Sequence, residues 1–319
     1  MPAETLRDKN YKFSGHETFS CRYAWLPKAA AEVAKNPAIF SDEDNAMVEL
    51  GVGKNMVRSI RFWAEAADII RSTGKTGCEL TEFGRELLLG EQSCDPYLED
   101  IQTLWLIHWK LTTKRNYLIF AWDYLLNHFH EPELYSSTVV RAFEKALKQI
   151  SDKTISSGSL EQLFDVFLHS YVPTRGHKGE IKEDNLDCPL VELGLLRHTG
   201  MAQSTIQPGR FESKYAFRRE EKAEISQSLF AYCLNEYWSS RHDQEQTIPF
   251  HLIVVGEGSP GQVFKIPEQD IRKRLFELGE NTNGFFTFDD SAAIPSVVRN
   301  KEKKEPNLID IYVSELVNA

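Results

Sequence analysis

Apolar residues along the chain recur mostly at three- and four-residue steps and only briefly at alternate positions, which predicts a mainly α protein with small β-hairpins, of the α+β class. From Trp25 to Val33 the pattern is helical as far as Asn36-Pro37, where the residue before proline is pushed out of the helical region. An opening turn containing SGHETF precedes it. Ser41, with Asp44 three residues on, marks a second helix start, the aspartate standing where a capping box has Glu or Gln and suiting the positive helix end. That helix stops at Leu50-Gly51. Gly51-Val52-Gly53 supplies residues able to take positive φ, so the chain can turn sharply before a further helix begins at Lys54 or Asn55. In it Met56, Ile60, Trp63 and Ala67, joined by Val57 and Ala64, form one apolar stripe.

Beyond that helix, Ile69-Ile70-Arg71 and Cys78-Glu79-Leu80 flank the glycine-bounded STGKTG and predict a small hairpin. Thr81 then caps a return helix that ends at Gly90. Helix, turn, helix, hairpin and helix in this order predict a winged helix-turn-helix over residues 41–90, with Lys75 at the wing tip. Asp95 as N-cap and Pro96 at the first helical position predict a long, buried helix, followed by helices at 116–130 and 137–150 that close a helical body around the winged unit. The polar SDKTISSGS at 151–159 reads as a linker. Residues 160–238 loosely repeat the winged-helix order, with a helix ending near Tyr171, a polar loop, a short helix, two strands and a helix from Glu220 to Trp238. The remainder holds a strand-like run at 251–255, a helix at 267–278, a hairpin-type turn at Asn283-Gly284, and LIDIYV as a closing strand. The expected domains are therefore 1–150, 151–245 and 246–319, in keeping with about 100–200 residues per domain.

Composition narrows the setting. The polar N-terminus lacks a secretory h-region, no apolar run is long enough for a membrane helix, and five scattered cysteines, an odd number, form neither a disulfide framework nor a CxxC zinc site. A cytoplasmic protein with no membrane contact is expected. The net charge of −10 opposes nucleic-acid binding, yet contact is decided by local patches within a Debye length of about 8 Å.

The sharpest patch is Lys54, Asn55, Arg58 and Arg61. Its three cations fall at i, i+4 and i+7 at the start of one helix, where long donors are needed to reach base edges and phosphates of duplex DNA. The plain alternative is a solvated helix face, and Glu49 and Glu65 bracket it. Arg175, His177 and Lys178 lie in a polar loop suited to gripping phosphate, as a solvent loop would also be. GlyLysThr at 74–76 lacks the first glycine and the following helix of a nucleotide-binding loop, and GEGSPGQ at 256–262 reads as a surface loop. Mg²⁺ or Mn²⁺ chemistry would need clustered carboxylates. Asp165 with Glu180-Ile181-Lys182 outlines a nuclease core without its proline-aspartate pair, and Asp289-Asp290 reads equally as a turn. His16, Glu17, Asp95, Asp100 and His108 are candidates for a catalytic polar pocket; the alternative makes the histidines buried core and Asp95 a helix cap. Trp105, Trp109 and Trp122 read as core.

The segments GHETF, RYAWLPKA, LGVGKNMVRSIRFWAEA and DPYLEDIQTLWLIHWKL, in that order within residues 11–130, resemble the bacterial family of uncharacterised proteins that includes SspB of DNA phosphorothioation systems. The resemblance implies a partner of a cysteine desulfurase, an ATPase and a sulfur-transfer enzyme, which together replace a phosphate oxygen of DNA with sulfur. It also implies nicking of one DNA strand to admit sulfur, but carries over no catalytic residue. Two functions follow: a DNA nicking endonuclease of an antiphage defence system, or a non-catalytic DNA-binding adaptor or regulator.

Overall fold

The structure, a computed structural model, describes residues 6–74, 77–150, 155–173 and 188–316. Among these, helices dominate, with three two-stranded sheets and one three-stranded sheet. The chain divides into two compact units, one of Met1–Glu99 with Lys110–Arg218 and one of Asp100–Trp109 with Arg219–Ala319.

The first unit opens with β1 (Tyr11–Lys12), α1 (Trp25–Lys35), α2 (Glu43–Leu50) and α3 (Lys54–Ala66). The carboxylate that starts α2 is Asp42, not the expected Ser41–Asp44 pair: its Oδ1 accepts from the Asp44 and Asn45 N–H groups at 3.1 Å, satisfying two otherwise unpaired donors. Gly51 ends α2 in the left-handed region at φ 65°, whereas Gly53 stays extended and caps α3. α3 buries Val57, Ile60, Trp63 and Ala64, the stripe read from the sequence. β2 (Ile70–Ser72) and β3 (Cys78–Leu80) pair antiparallel, Ile70 opposite Leu80 and Ser72 opposite Cys78. The Cys78 N–H donates to Pro37 O at 2.7 Å, tying the hairpin to the segment after α1. α4 (Glu82–Leu88) starts where the Thr81 hydroxyl accepts from Gly84 N–H. A Cβ on Gly84 would stand 2.2 Å from Ile69 O, so only glycine lets α4 seat against the hairpin.

The next helix, α5 (Ile101–Thr113), starts five residues later than the Asp95–Pro96 signal would place it. Asp95 instead accepts from Glu99 N–H in a turn where Leu98 takes φ 60°, and Asp100 accepts from Gln102 N–H at the helix start. The helix expected at 116–130 is broken up into β4 (Leu118–Ile119), which pairs parallel with β1, then α6 (Phe120–Asp123) and a π-helical turn at Tyr124–His128. α7 (Ser136–Ile150) and α8 (Ser157–Tyr171) follow, and Ser157–Ser159 of the expected linker belong to α8, capped by Ser156. β5 (Leu196–Gln203) and β6 (Phe211–Phe217) form a hairpin. The core centres on Trp63, Trp122, Phe167 and Tyr171: the two indoles meet edge to face at 5.5 Å, and Trp122 Nε1 donates to the Tyr171 hydroxyl at 2.8 Å.

The second unit comprises the first nine residues of α5, then α9 (Gln227–Arg241), β7 (Thr247–Pro249), α10 (Phe250–Val255), α11 (Pro260–Phe264), α12 (Glu268–Asn281), β8 (Phe286–Asp289), β9 (Ser296–Arg299) and α13 (Leu308–Leu316). α9 begins seven residues after Glu220. Four further expectations are corrected. The 251–255 run is helical rather than a strand, because a short apolar run does not by itself select between the two. LIDIYV is also helical, with Leu308 and Ile311 buried at a three-residue step and Ile309 and Val313 exposed. Asn283-Gly284 turns α12 into β8 instead of linking two strands. GEGSPGQ is no surface loop: Ser259 is buried and caps α11, and a Cβ on Gly261 would meet Val254 O at 2.4 Å. β9 is the middle strand between β7 and β8. Trp105, Trp109 and Phe264 pack together at 5.4–5.6 Å as core.

Candidate functional site

The cations singled out on α3 point outward. Asn55 is exposed, and the Lys54, Arg58 and Arg61 side chains are 55%, 45% and 35% exposed. Each is held by an acid. Glu43 of α2 takes Lys54 Nζ at 2.7 Å on one oxygen and Arg58 Nε at 2.6 Å on the other, while Glu65 takes Arg61 Nε at 3.0 Å one turn along α3. Hydrogen bonds from Arg58 and then Lys54 hold the Glu43 carboxyl down at about 2. The two Glu43 pairs are exposed, hence weak and screened by salt, so a phosphate can replace that carboxylate as partner, whereas Arg61 is held by a Glu65 only 13% exposed. Lys75, Arg175, His177 and Lys178 lie outside the described residues, as does Glu180-Ile181-Lys182. Asp165 is on α8, where burial pushes its carboxyl up.

Behind α3 sits the GHETF segment. Ser59 Oγ donates to His16 O at 3.0 Å and Trp63 Nε1 to Phe19 O at 3.1 Å, so the back of α3 is bolted to this loop. The loop is strained: Glu17 and Thr18 take φ 50° and 77°, and at Gly15, with φ 117°, a Cβ would stand 2.7 Å from the Phe62 ring. His16 is buried against Phe62 and Trp63, and neither ring nitrogen has a hydrogen-bond partner. Burial pushes its pKa down to about 4, leaving it neutral at pH 7.

The other catalytic candidates have structural tasks. Asp95 and Asp100 accept backbone N–H groups, and His108 lies buried with Nε2 3.1 Å from Val263 O and its ring edge-on to Trp105. Burial lowers the His108 pKa to about 4 as well. Among the described residues, none of the five candidates falls in a group of three or more side chains close enough to share a metal ion. Asp289 accepts from the N–H groups of Ser291 and Ala292, the turn reading.

Sequence reasoning missed a buried polar cluster in the first unit. Asp123, at the end of α6, receives Lys9 Nζ at 2.8 Å, the Tyr11 hydroxyl at 2.5 Å and Asn127 Nδ2 at 3.0 Å, with His128 Nε2 at 3.5 Å. Both partners of the Lys9–Asp123 pair are about 1% exposed. Burial pushes the Asp123 carboxyl up, but the His128 hydrogen bond and the Lys9 charge outweigh it and leave it well below the usual carboxylate range. The π-helical turn makes this geometry, since its i→i+5 bond from Phe129 N–H to Tyr124 O widens the turn so that Asn127 and His128 both face Asp123. The sequence signal was Asp, Asn and His inside the apolar FAWDYLLNHF, where buried polar groups must find partners. The carboxylate and imidazole are two ligand atoms of the kinds a divalent ion accepts.

A family model described as "Protein of unknown function (DUF4007)" matches residues 13–312. The chain belongs to that family. Two solved structures share this DUF4007 fold: an SspB crystal structure, at TM-score 0.79 and 24% identity over 98% of this chain and 90% of that one, and a magnesium ion-bound SspB crystal structure, at TM-score 0.80 and 24% identity over 99% and 91%. The likeness to SspB expected from the sequence therefore holds as a likeness of fold. No curated protein matches. No helix among the described residues of this DUF4007 chain is long and apolar enough to cross a membrane.

Proposed function

We propose that this protein is the DNA-binding component of a bacterial DNA phosphorothioate modification and antiphage defence system, holding duplex DNA on the outward face of α3 and nicking one strand so that sulfur can be inserted. α2, the turn at Gly51, α3, the β2–β3 hairpin and α4 follow one another in the order of a winged helix; on that reading α3 is the groove helix and Lys75 rides on the wing. The observation that carries the proposal is the placement of Lys54, Asn55, Arg58 and Arg61 on solvent-facing turns of α3, with Glu43, the acid partner of Lys54 and Arg58, itself 31% exposed. Arg175, His177 and Lys178 would add phosphate contacts. The fold shared with SspB supports the setting, and with it a cysteine desulfurase, an ATPase and a sulfur-transfer enzyme as partners.

For strand cleavage, Asp123 and His128 are the residues that would hold Mg²⁺ or Mn²⁺ in this chain. Such an ion, when bound, would activate water for attack on a phosphodiester. One observation favours a second reading, a non-catalytic adaptor: Asp95, Asp100 and His108 are each committed to a backbone group. Incubating the protein with supercoiled plasmid, with Mg²⁺ or with EDTA, separates the two. Metal-dependent open circles that His128→Ala abolishes support the nickase, and intact supercoil with a gel shift supports the adaptor. Duplex affinity that is the same for Arg58→Ala/Arg61→Ala as for the parent would remove the α3 interface from both.

A further inference from the structure

The second unit contains a cleft of roughly 320 Å³ whose charge runs against that of the chain. Arg299 at the end of β9 and Lys301 and Lys303 beyond it line the cleft, facing Asp243 and Glu305. Three cations against two carboxylates leave it net positive in a protein of net charge −10. Its wall is built rather than incidental. The Arg299 side chain is 3% exposed, with Nη1 donating to Ser239 Oγ at 3.0 Å, Nη2 donating to Asp243 Oδ1 at 3.1 Å, and the guanidinium 5.0 Å over the Trp238 ring. Lys301 Nζ donates to the same Asp243 oxygen at 3.2 Å, and Lys303 makes no ion pair among the described residues.

The wall's hydrogen bonding is also incomplete. Arg299 Nε, a donor, and Asn235 Oδ1, an acceptor, are buried without partners, while Asn235 Nδ2 is engaged by Glu305 Oε1. A buried polar atom left unpaired is costly, so each calls for an occupant. One needs an oxygen and the other a hydroxyl or amino group, and after a small side-chain adjustment a single ligand carrying both would complete the wall. The volume lies at the lower end of the range for small-molecule sites, about 300–1,000 Å³, which suits one nucleotide unit and not two.

We propose that this cleft binds a phosphomonoester of mononucleotide size, its phosphate on Lys301 and Lys303 in front of Arg299 and its hydroxyl or amino donors on Asn235 and Glu305. The same chemistry is offered by a free nucleotide and by the terminal phosphate of a DNA strand. The site is independent of the α3 face. Isothermal titration of the full chain with inorganic phosphate, with dAMP, and with short oligonucleotides bearing a 5′-phosphate or a 5′-hydroxyl tests it. dAMP is expected to bind more tightly than inorganic phosphate. Lys301→Ala/Lys303→Ala should weaken dAMP about tenfold or more at an unchanged melting temperature, since both side chains are exposed. A preference for the 5′-phosphate oligonucleotide that the double variant loses assigns the site to strand ends, and binding of dAMP alone assigns it to a free nucleotide. No heat from either phosphate or dAMP at millimolar concentration, or a double variant that binds dAMP as tightly as the parent, would overturn the proposal.

Discussion

The face of α3 and the cluster around Asp123 both set cations against carboxylates, yet they do opposite things. On α3 the Lys54 and Arg58 pairs with Glu43 stand in water, where each ion keeps much of its hydration and exchanging a carboxylate for another anion costs little. Around Asp123 the ions have been taken out of water, and the pair, the Tyr11 hydroxyl and Asn127 together replace what hydration would have supplied. The contrast separates the two roles a salt bridge can have. An exposed pair is a face held ready for a partner; a buried pair is a constraint, here joining the N-terminal β1 region to α6 through residues more than a hundred positions apart.

Removing one partner on each side tests that contrast. Asp123→Ala strands the Lys9 ammonium in the interior and should cost about 3–5 kcal/mol, read as a large fall in the urea midpoint. Acid comes next. His16 is neutral when folded, with a pKa lowered to about 4 from 6.5, so below pH 6.5 the unfolded chain binds a proton that the folded chain does not. Its contribution is fully present above pH 6.5 and is lost as pH falls towards 4, amounting to about 3 kcal/mol at most. Urea unfolding between pH 7 and pH 4 should show the slope, and His16→Leu should remove its share while His108 keeps another. Gly15→Ala, which forces a Cβ towards Phe62 at a positive φ, should cost about 1–3 kcal/mol in the same assay. Smallest in stability is Arg58→Ala with Arg61→Ala. The melting temperature should barely move, while the dependence of duplex binding on salt should flatten by about one to two ions released, measured by fluorescence anisotropy. In the opposite direction, Glu43→Gln frees Lys54 and Arg58 and should strengthen duplex binding.

What could be read from the sequence follows the same division. The α3 stripe and its cationic side were legible because Lys54, Arg58, Arg61, Ile60 and Trp63 are all close in sequence, and helical periodicity sorts them into faces. The β2–β3 hairpin and the Thr81 cap were legible for the same reason. The start of α5 was misread because Asp95-Pro96 is as good a turn signal as a helix signal, and Leu98, at positive φ, decides for the turn. The Asp123 cluster was invisible because Lys9 and Tyr11 reach Asp123 only through the parallel pairing of β1 with β4. No local pattern encodes that meeting.

The wide turn at Tyr124–His128 also acts as a length gauge. A regular α-helix advances about 100° per residue, which would carry a side chain five positions on about 140° away from Asp123. The π-helical turn takes up one surplus residue and brings the imidazole back beside the carboxylate. A regular α-helix of the same length would keep Asn127, four positions on, beside Asp123 and carry His128 away from it, so in this sequence helical regularity and the Asp123–His128 contact exclude each other.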